Sequence, residues 1–151
     1  TTIIKSIIEI YKQRKYKIVL CAPTGRAAKR MTETTGEEAQ TLHRLLEIGK
    51  VDEESLFKKD NDYQGAPIDG DIIIVDEVSM VDMFIMSYLL DCIYLGTKLI
   101  LVGDSDQLPS VGPGSVLQWR PCYDRVQNKM LQENWWQMEL HWYVYTGLPY
   151  H

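Results

Sequence analysis

The stretch Ile72-Ile73-Ile74-Val75-Asp76-Glu77-Val78-Ser79-Met80, with Leu99-Ile100-Leu101-Val102-Gly103-Asp104-Ser105-Asp106-Gln107-Leu108-Pro109 downstream, decides the fold of this chain. Each opens with a short, continuous apolar run, the pattern of a strand covered on both faces, and such strands belong to parallel sheets. Each run then ends in polar residues, and open parallel sheets bind ligands at the carboxyl ends of their strands. An Asp at such an end can hold Mg²⁺, and the Glu beside it can position a water. The amide of Gln107 can donate to a phosphate oxygen and accept from water.

Taken singly, each piece has a structural explanation. Carboxylates suit helix N-termini, so Asp76-Glu77 also reads as a cap. Gly103 to Asp106 also reads as a strand-to-helix turn. The string that runs on through Gln107-Leu108-Pro109-Ser110-Val111-Gly112-Pro113-Gly114 is longer than turn chemistry requires, and the two strand ends together favour function.

Working outward, Ile3, Ile4, Ile7, Ile8 and Tyr11 have the spacing of an amphipathic helix over Thr1 to Arg14. Lys17 to Cys21 reads as a short buried strand, closed by Pro23-Thr24-Gly25, and Arg26 to Thr34 as a helix ending before Gly36. Thr41 can cap a short helix through Leu46. The polar stretch Gly49 to Gly70 reads as a surface excursion. After strand Ile72 to Val75 come a helix from about Val81 to Leu95 and strand Lys98 to Val102. Strands alternating with helices imply a three-layer α/β sandwich with a mainly parallel sheet. Met80, Met83 and Met86 read as core packing.

With 151 residues and 45% hydrophobic content, the chain supports one globular α/β domain. No apolar run is long enough to span a bilayer and no signal peptide precedes the domain, so no membrane partner is expected. Cys21, Cys92 and Cys122 lack paired metal-ligand spacing and read as buried thiols in a reducing, cytoplasmic setting. The net charge of -5 argues at first against a polyanion partner, but residues 1–31 carry +7 and the remainder -12. A local basic zone can bind phosphates on an acidic protein. Lys12 to Lys17 read as a solvated helix face; Arg26, Lys29 and Arg30 divide evenly between that and function.

The ordered motifs resemble those of superfamily 1 helicases, in particular the RecD-like (exodeoxyribonuclease V alpha-subunit) and TraA-like group. Asp76-Glu77 is similar to the family's Walker B motif, and Gly103 to Gly114 to its third motif. Ala22-Pro23-Thr24-Gly25-Arg26-Ala27-Ala28-Lys29-Arg30 and Thr41-Leu42-His43-Arg44-Leu45-Leu46 resemble its DNA-contacting segments. The resemblance implies a P-loop NTPase (RecA-like) fold with ATP and Mg²⁺ as cofactors. It assigns Asp76 to Mg²⁺, Glu77 to the attacking water and Gln107 to sensing the γ-phosphate. It assigns Pro23, Thr24, Gly25, Arg26, His43, Val111, Gly112 and Pro113 to single-stranded DNA.

The phosphate loop Gly-x-x-x-x-Gly-Lys-Ser/Thr does not occur in the 151 residues; the only Gly-Lys pair, Gly49-Lys50, is followed by Val51. The opening Thr1-Thr2-Ile3-Ile4-Lys5 resembles the residues just after that loop's lysine, so Thr1 or Thr2 is the candidate Mg²⁺-binding threonine. The expectation is a fragment of a first motor domain, residues 1–117, truncated at its N-terminus and inactive alone. Its implied partners are single-stranded DNA, the second motor domain of the intact protein and other recombination subunits. Residues 118–151 hold all four tryptophans, and this tail reads as foreign to the fold rather than as an aromatic platform for bases. The implied function is an ATP-dependent helicase moving 5′ to 3′ in recombination and repair. The alternative is a non-catalytic nucleic-acid-binding or interaction module with a degenerate P-loop NTPase fold.

Overall fold

The computed structural model describes residues 2–48, 66–94, 96–104 and 140–144. Among these described residues five strands form one sheet: β1 (Ile18–Ala22), β2 (Ala39–Thr41), β3 (Ile72–Val75), β4 (Lys98–Gly103) and β5 (Leu140–Val144). Every pairing is parallel and the order is β2-β1-β3-β4-β5. The helices are α1 (Thr2–Gln13), α2 (Gly25–Thr35), α3 (Leu42–Leu45) and α4 (Met83–Asp91).

Alternation along the strands separates two cores, because successive side chains point to opposite faces. Leu20, Ile72, Ile74 and Ile100 meet Ile4, Ile7 and Ile8 of α1 and Met31 of α2 on one face. Cys21, Ile73, Val75, Leu99 and Leu101 meet Leu42 of α3 and Met86, Leu89 and Leu90 of α4 on the other. All four side chains of β3 are fully buried, which is why its sequence shows no polar alternation. The expected three-layer α/β sandwich with a parallel sheet is therefore the fold.

The crossover β1-α2-β2 runs one way across the sheet and β3-α4-β4 the other. Their helices lie on opposite faces, so both crossovers have the same hand, as twisted parallel strands require. The direction of travel reverses at β1/β3. The carboxyl ends of those two strands consequently diverge into the crevice where open α/β sheets hold ligands.

Several boundaries differ from the sequence reading. The third long helix covers Met83–Asp91, not Val81 to Leu95. A 3₁₀ turn over Val78–Met80 precedes it, Val81 is extended, and the Asp82 carboxylate caps the helix by accepting from Ile85 N at 2.9 Å. At its far end Cys92 N bonds both Tyr88 O and Leu89 O, which closes the last turn; Leu95 lies outside the described residues. Met86 is buried as expected and Met83 half-buried, but Met80 is 44% exposed, because the short turn carries it outward. The end of the surface excursion is core: Ile68 is 5% exposed and its N–H donates to Cys92 O. Residues 49–65 lie outside the described residues. Helix α2 ends as read, with Gly36 left-handed at φ 76° and its N–H on Thr32 O. Leu140–Val144, from the segment read as foreign, supplies β5 beside β4.

Candidate nucleotide and nucleic-acid site

Among the described residues four loops leave the carboxyl edge of the sheet, and every described candidate residue except Thr2 lies on one of them. From β1 comes Pro23-Thr24-Gly25, from β2 Leu42-His43, from β3 Asp76-Glu77 and from β4 Asp104. Neighbouring strands are about 4.8 Å apart. The DNA candidates therefore leave β2 and β1, the phosphate candidates β3 and β4, and the two sets meet at the β1/β3 switch point. One bond ties them there: Asp76 N donates to Cys21 O at 3.0 Å, continuing the ladder one residue beyond β3.

Asp76 is fixed by the chain itself, since its Oδ1 accepts from Glu77 N at 2.9 Å. Glu77 turns sharply away from the strand with φ 54° and ψ 40°. A non-glycine residue in that left-handed region carries backbone strain, and such strain collects at functional sites. Burial pushes the Glu77 carboxyl above its ordinary range; the Asp76 charge pushes the same way, Arg30 opposes it, and Asp104 raises it further. The edge thus gathers negative charge against one nearby guanidinium.

Among the described residues no group of three or more Asp, Glu, His or Cys could hold a metal ion. Asp76 and Glu77 offer carboxylate oxygens, and Mg²⁺ typically takes one or two carboxylates while keeping waters and phosphate oxygens.

On the other half of the edge, Thr24 has extended backbone, and its Oγ1 caps α2 by accepting from Ala27 N at 3.2 Å. The Thr24 hydroxyl proton stays available to a ligand oxygen. The N–H groups of Gly25 and Arg26 lie in the first turn of α2, where a helix has no internal acceptors and attracts anions. Open space surrounds the position a Gly25 Cβ would take. Arg26 and His43 are exposed. The Thr41 side chain caps α3 by accepting from Arg44 N at 3.2 Å, which places His43 in the first turn. Register pairs Ala22 with Thr41, so Thr24 and His43 each stand two residues beyond paired positions.

Thr2 opens α1. Thr1, Gln107, Val111, Gly112 and Pro113 lie outside the described residues, as does Cys122. Cys21 and Cys92 are buried and free; burial raises both thiols, and Cys21 Sγ lies 3.6 Å from Ile74 O. They serve as small core side chains. Sequence reasoning left Arg30 undecided, whereas in the structure its charge opposes the rise of the Glu77 pKa. It read Asp104 only as part of a motif, and it passed over Ser79.

A family model described as an AAA domain matches residues 1–113. This chain belongs to the AAA domain family. Within it the sequence is RecD-like. It is 37% identical over 142 residues to the RecBCD enzyme subunit RecD of Buchnera aphidicola, covering 82% of this chain and 23% of that protein. It is 41% identical over 114 residues to the ATP-dependent RecD2 DNA helicase of Deinococcus radiodurans, covering 76% and 15%. With the RecBCD enzyme subunit RecD of Mycolicibacterium smegmatis it shares 40% over 117 residues, covering 67% and 20%. The chain spans about a fifth of the length of these curated relatives. No helix among the described residues is long and apolar enough to cross a membrane.

Proposed function

We propose that this chain is part of the first motor domain of an ATP-dependent DNA helicase acting in recombination and repair, with 5′ to 3′ movement and residues 1–117 as the motor portion. The observation that carries the reading is the shared sheet edge: Asp76 and a left-handed Glu77 leave β3, a phosphate-suited helix N-terminus follows β1, and Asp76 N bonds Cys21 O between the two strands. Similarity to a RecD2 DNA helicase and to RecD subunits supports the choice of reaction.

In this reading Asp76 would hold Mg²⁺, with Thr1 or Thr2 as a further ligand. The cation, when bound, neutralises charge developing on the transferred phosphoryl group. Glu77 orients the attacking water and takes up its proton at the side-chain carboxylate; its raised pKa favours that uptake. Gln107 senses the γ-phosphate, and Val111, Gly112 and Pro113 contact DNA. Pro23, Thr24, Gly25 and Arg26 grip the DNA backbone through N–H, hydroxyl and guanidinium donors, which carry no base selectivity. His43 stacks on a base or bonds a phosphate. The partners are single-stranded DNA, a second motor domain and recombination subunits, in the cytoplasm.

The test is strand separation by the intact protein on duplexes carrying a single-stranded 5′ or 3′ tail, with ATP and Mg²⁺. Unwinding of the 5′-tailed duplex alone is the expected result. DNA binding without ATP-dependent unwinding of either duplex would favour a non-catalytic module.

A further inference from the structure

Two residues beyond Glu77, Ser79 is 3% exposed, and its Oγ has no hydrogen-bond partner, the one such side-chain atom among the described residues. An unmade hydrogen bond at a buried hydroxyl is costly and calls for an explanation. Mere exposure of the hydroxyl is barred by the neighbours: Val78 is fully buried and Val81 1% exposed, both in the core beneath α4. They pin the 3₁₀ turn from either side of Ser79, and the turn packs against β4. A partner must therefore come to Ser79.

Glu77, two residues back, is the candidate partner. Glu77 is only half-buried, its left-handed backbone leads directly into the turn, and its side chain makes no capping bond to the turn. Two unfavourable features, a strained backbone and an orphaned hydroxyl, thus lie within three residues of each other. Both persist only where the surrounding structure over-determines them.

We propose that Ser79 is a positioning residue for Glu77, its hydroxyl donating to the Glu77 carboxylate when nucleotide and Mg²⁺ load the sheet edge. The assignment rests on the nucleotide-binding reading of that edge. It makes Ser79 a residue that weakens the unliganded fold and strengthens the liganded one, a combination that a simple packing role does not produce.

The experiment uses the intact protein and measures unfolding midpoints without ligand and with Mg²⁺ plus a non-hydrolysable ATP analogue. Ser79→Ala removes the orphaned group, so without ligand its folding equilibrium constant rises about tenfold, equivalent to ~1.4 kcal/mol. Its analogue affinity falls about fivefold for the lost hydrogen bond. Ser79→Thr keeps the hydroxyl and holds the analogue affinity within about twofold of wild type even where its extra methyl lowers the unliganded midpoint. In a Glu77→Ala background, Ser79→Ala no longer changes analogue affinity, because the acceptor is gone. A lower unliganded midpoint for Ser79→Ala, or an undiminished analogue affinity, overturns the assignment of Ser79 alone. No analogue-induced shift in the wild type overturns the nucleotide-binding reading and this role together.

Discussion

Replacing Glu77 with Gln separates the cost of a site from its use. The carboxylate is half-buried, flanked by Asp76 and Asp104 and opposed by Arg30, and these surroundings raise its pKa above the ordinary 4.5. Ionising it therefore costs the folded protein more than the unfolded chain. The sign comes from proton linkage: with the folded pKa above the unfolded one, the penalty is absent below pH 4.5, grows as pH rises, and is complete above the raised folded value. Glutamine keeps the shape and removes the charge. Because the group is only partly buried, solvent screening limits the gain, and we expect Glu77→Gln to be about 0.5 kcal/mol more stable than wild type at pH 7. Urea melts at pH 7 and pH 4 measure this, as a gap of roughly 0.2–0.5 M in midpoint that closes at the lower pH. In the intact protein the same substitution lowers turnover by about two to four orders of magnitude while Mg²⁺ and nucleotide still bind. A variant less stable than wild type at pH 7, or turnover within a fewfold of wild type, would refute the reasoning.

Other consequences are as direct. Gly25→Ala meets no neighbour at the new Cβ, so stability stays level or rises by up to about 1 kcal/mol, while single-stranded DNA affinity drops in a titration because the methyl blocks close approach to the α2 N-terminus. Thr24→Ala removes the α2 cap and lowers stability in a denaturant melt by about 1 kcal/mol as well as weakening DNA binding. DNA affinity of the intact protein falls with salt and varies little with base composition, checked by titrating several single strands at several salt concentrations. Gln107→Ala leaves DNA affinity intact without nucleotide but shrinks the change produced by a non-hydrolysable analogue, a coupling typically worth about 1–3 kcal/mol, and binding isotherms for both proteins measure it.

Strand β3 was fully legible because all four residues are buried on both faces, so the apolar run and the strand coincide. Thr41 was legible as a cap but not as the end of β2, since Ala39–Thr41 is short, polar and at the sheet edge, where few apolar contacts mark a strand. The long helix was over-read at both ends because hydrophobicity continues from Val81 to Leu95 while the backbone obeys Asp82 and the turn before it. β5 escaped notice because its composition, Leu-His-Trp-Tyr-Val, lies in a tryptophan-rich segment unlike the rest of the chain. At the site, Asp76 and Glu77 were legible from their place after the strand. Arg30 and Ser79 were not: one acts on Glu77 only through its charge, from helix α2, and the other is defined by a missing partner, which no sequence pattern encodes.

If one sheet edge couples nucleotide chemistry to DNA, phosphate release by the intact protein responds to single-stranded DNA. With saturating ATP and Mg²⁺, single-stranded DNA is expected to raise the rate at least about tenfold, consistent with a coupling of about 1.4 kcal/mol or more, and Glu77→Gln is expected to abolish the stimulated rate. ATP turnover that is indifferent to single-stranded DNA, or that survives Glu77→Gln, would mean that this sheet edge does not link the two.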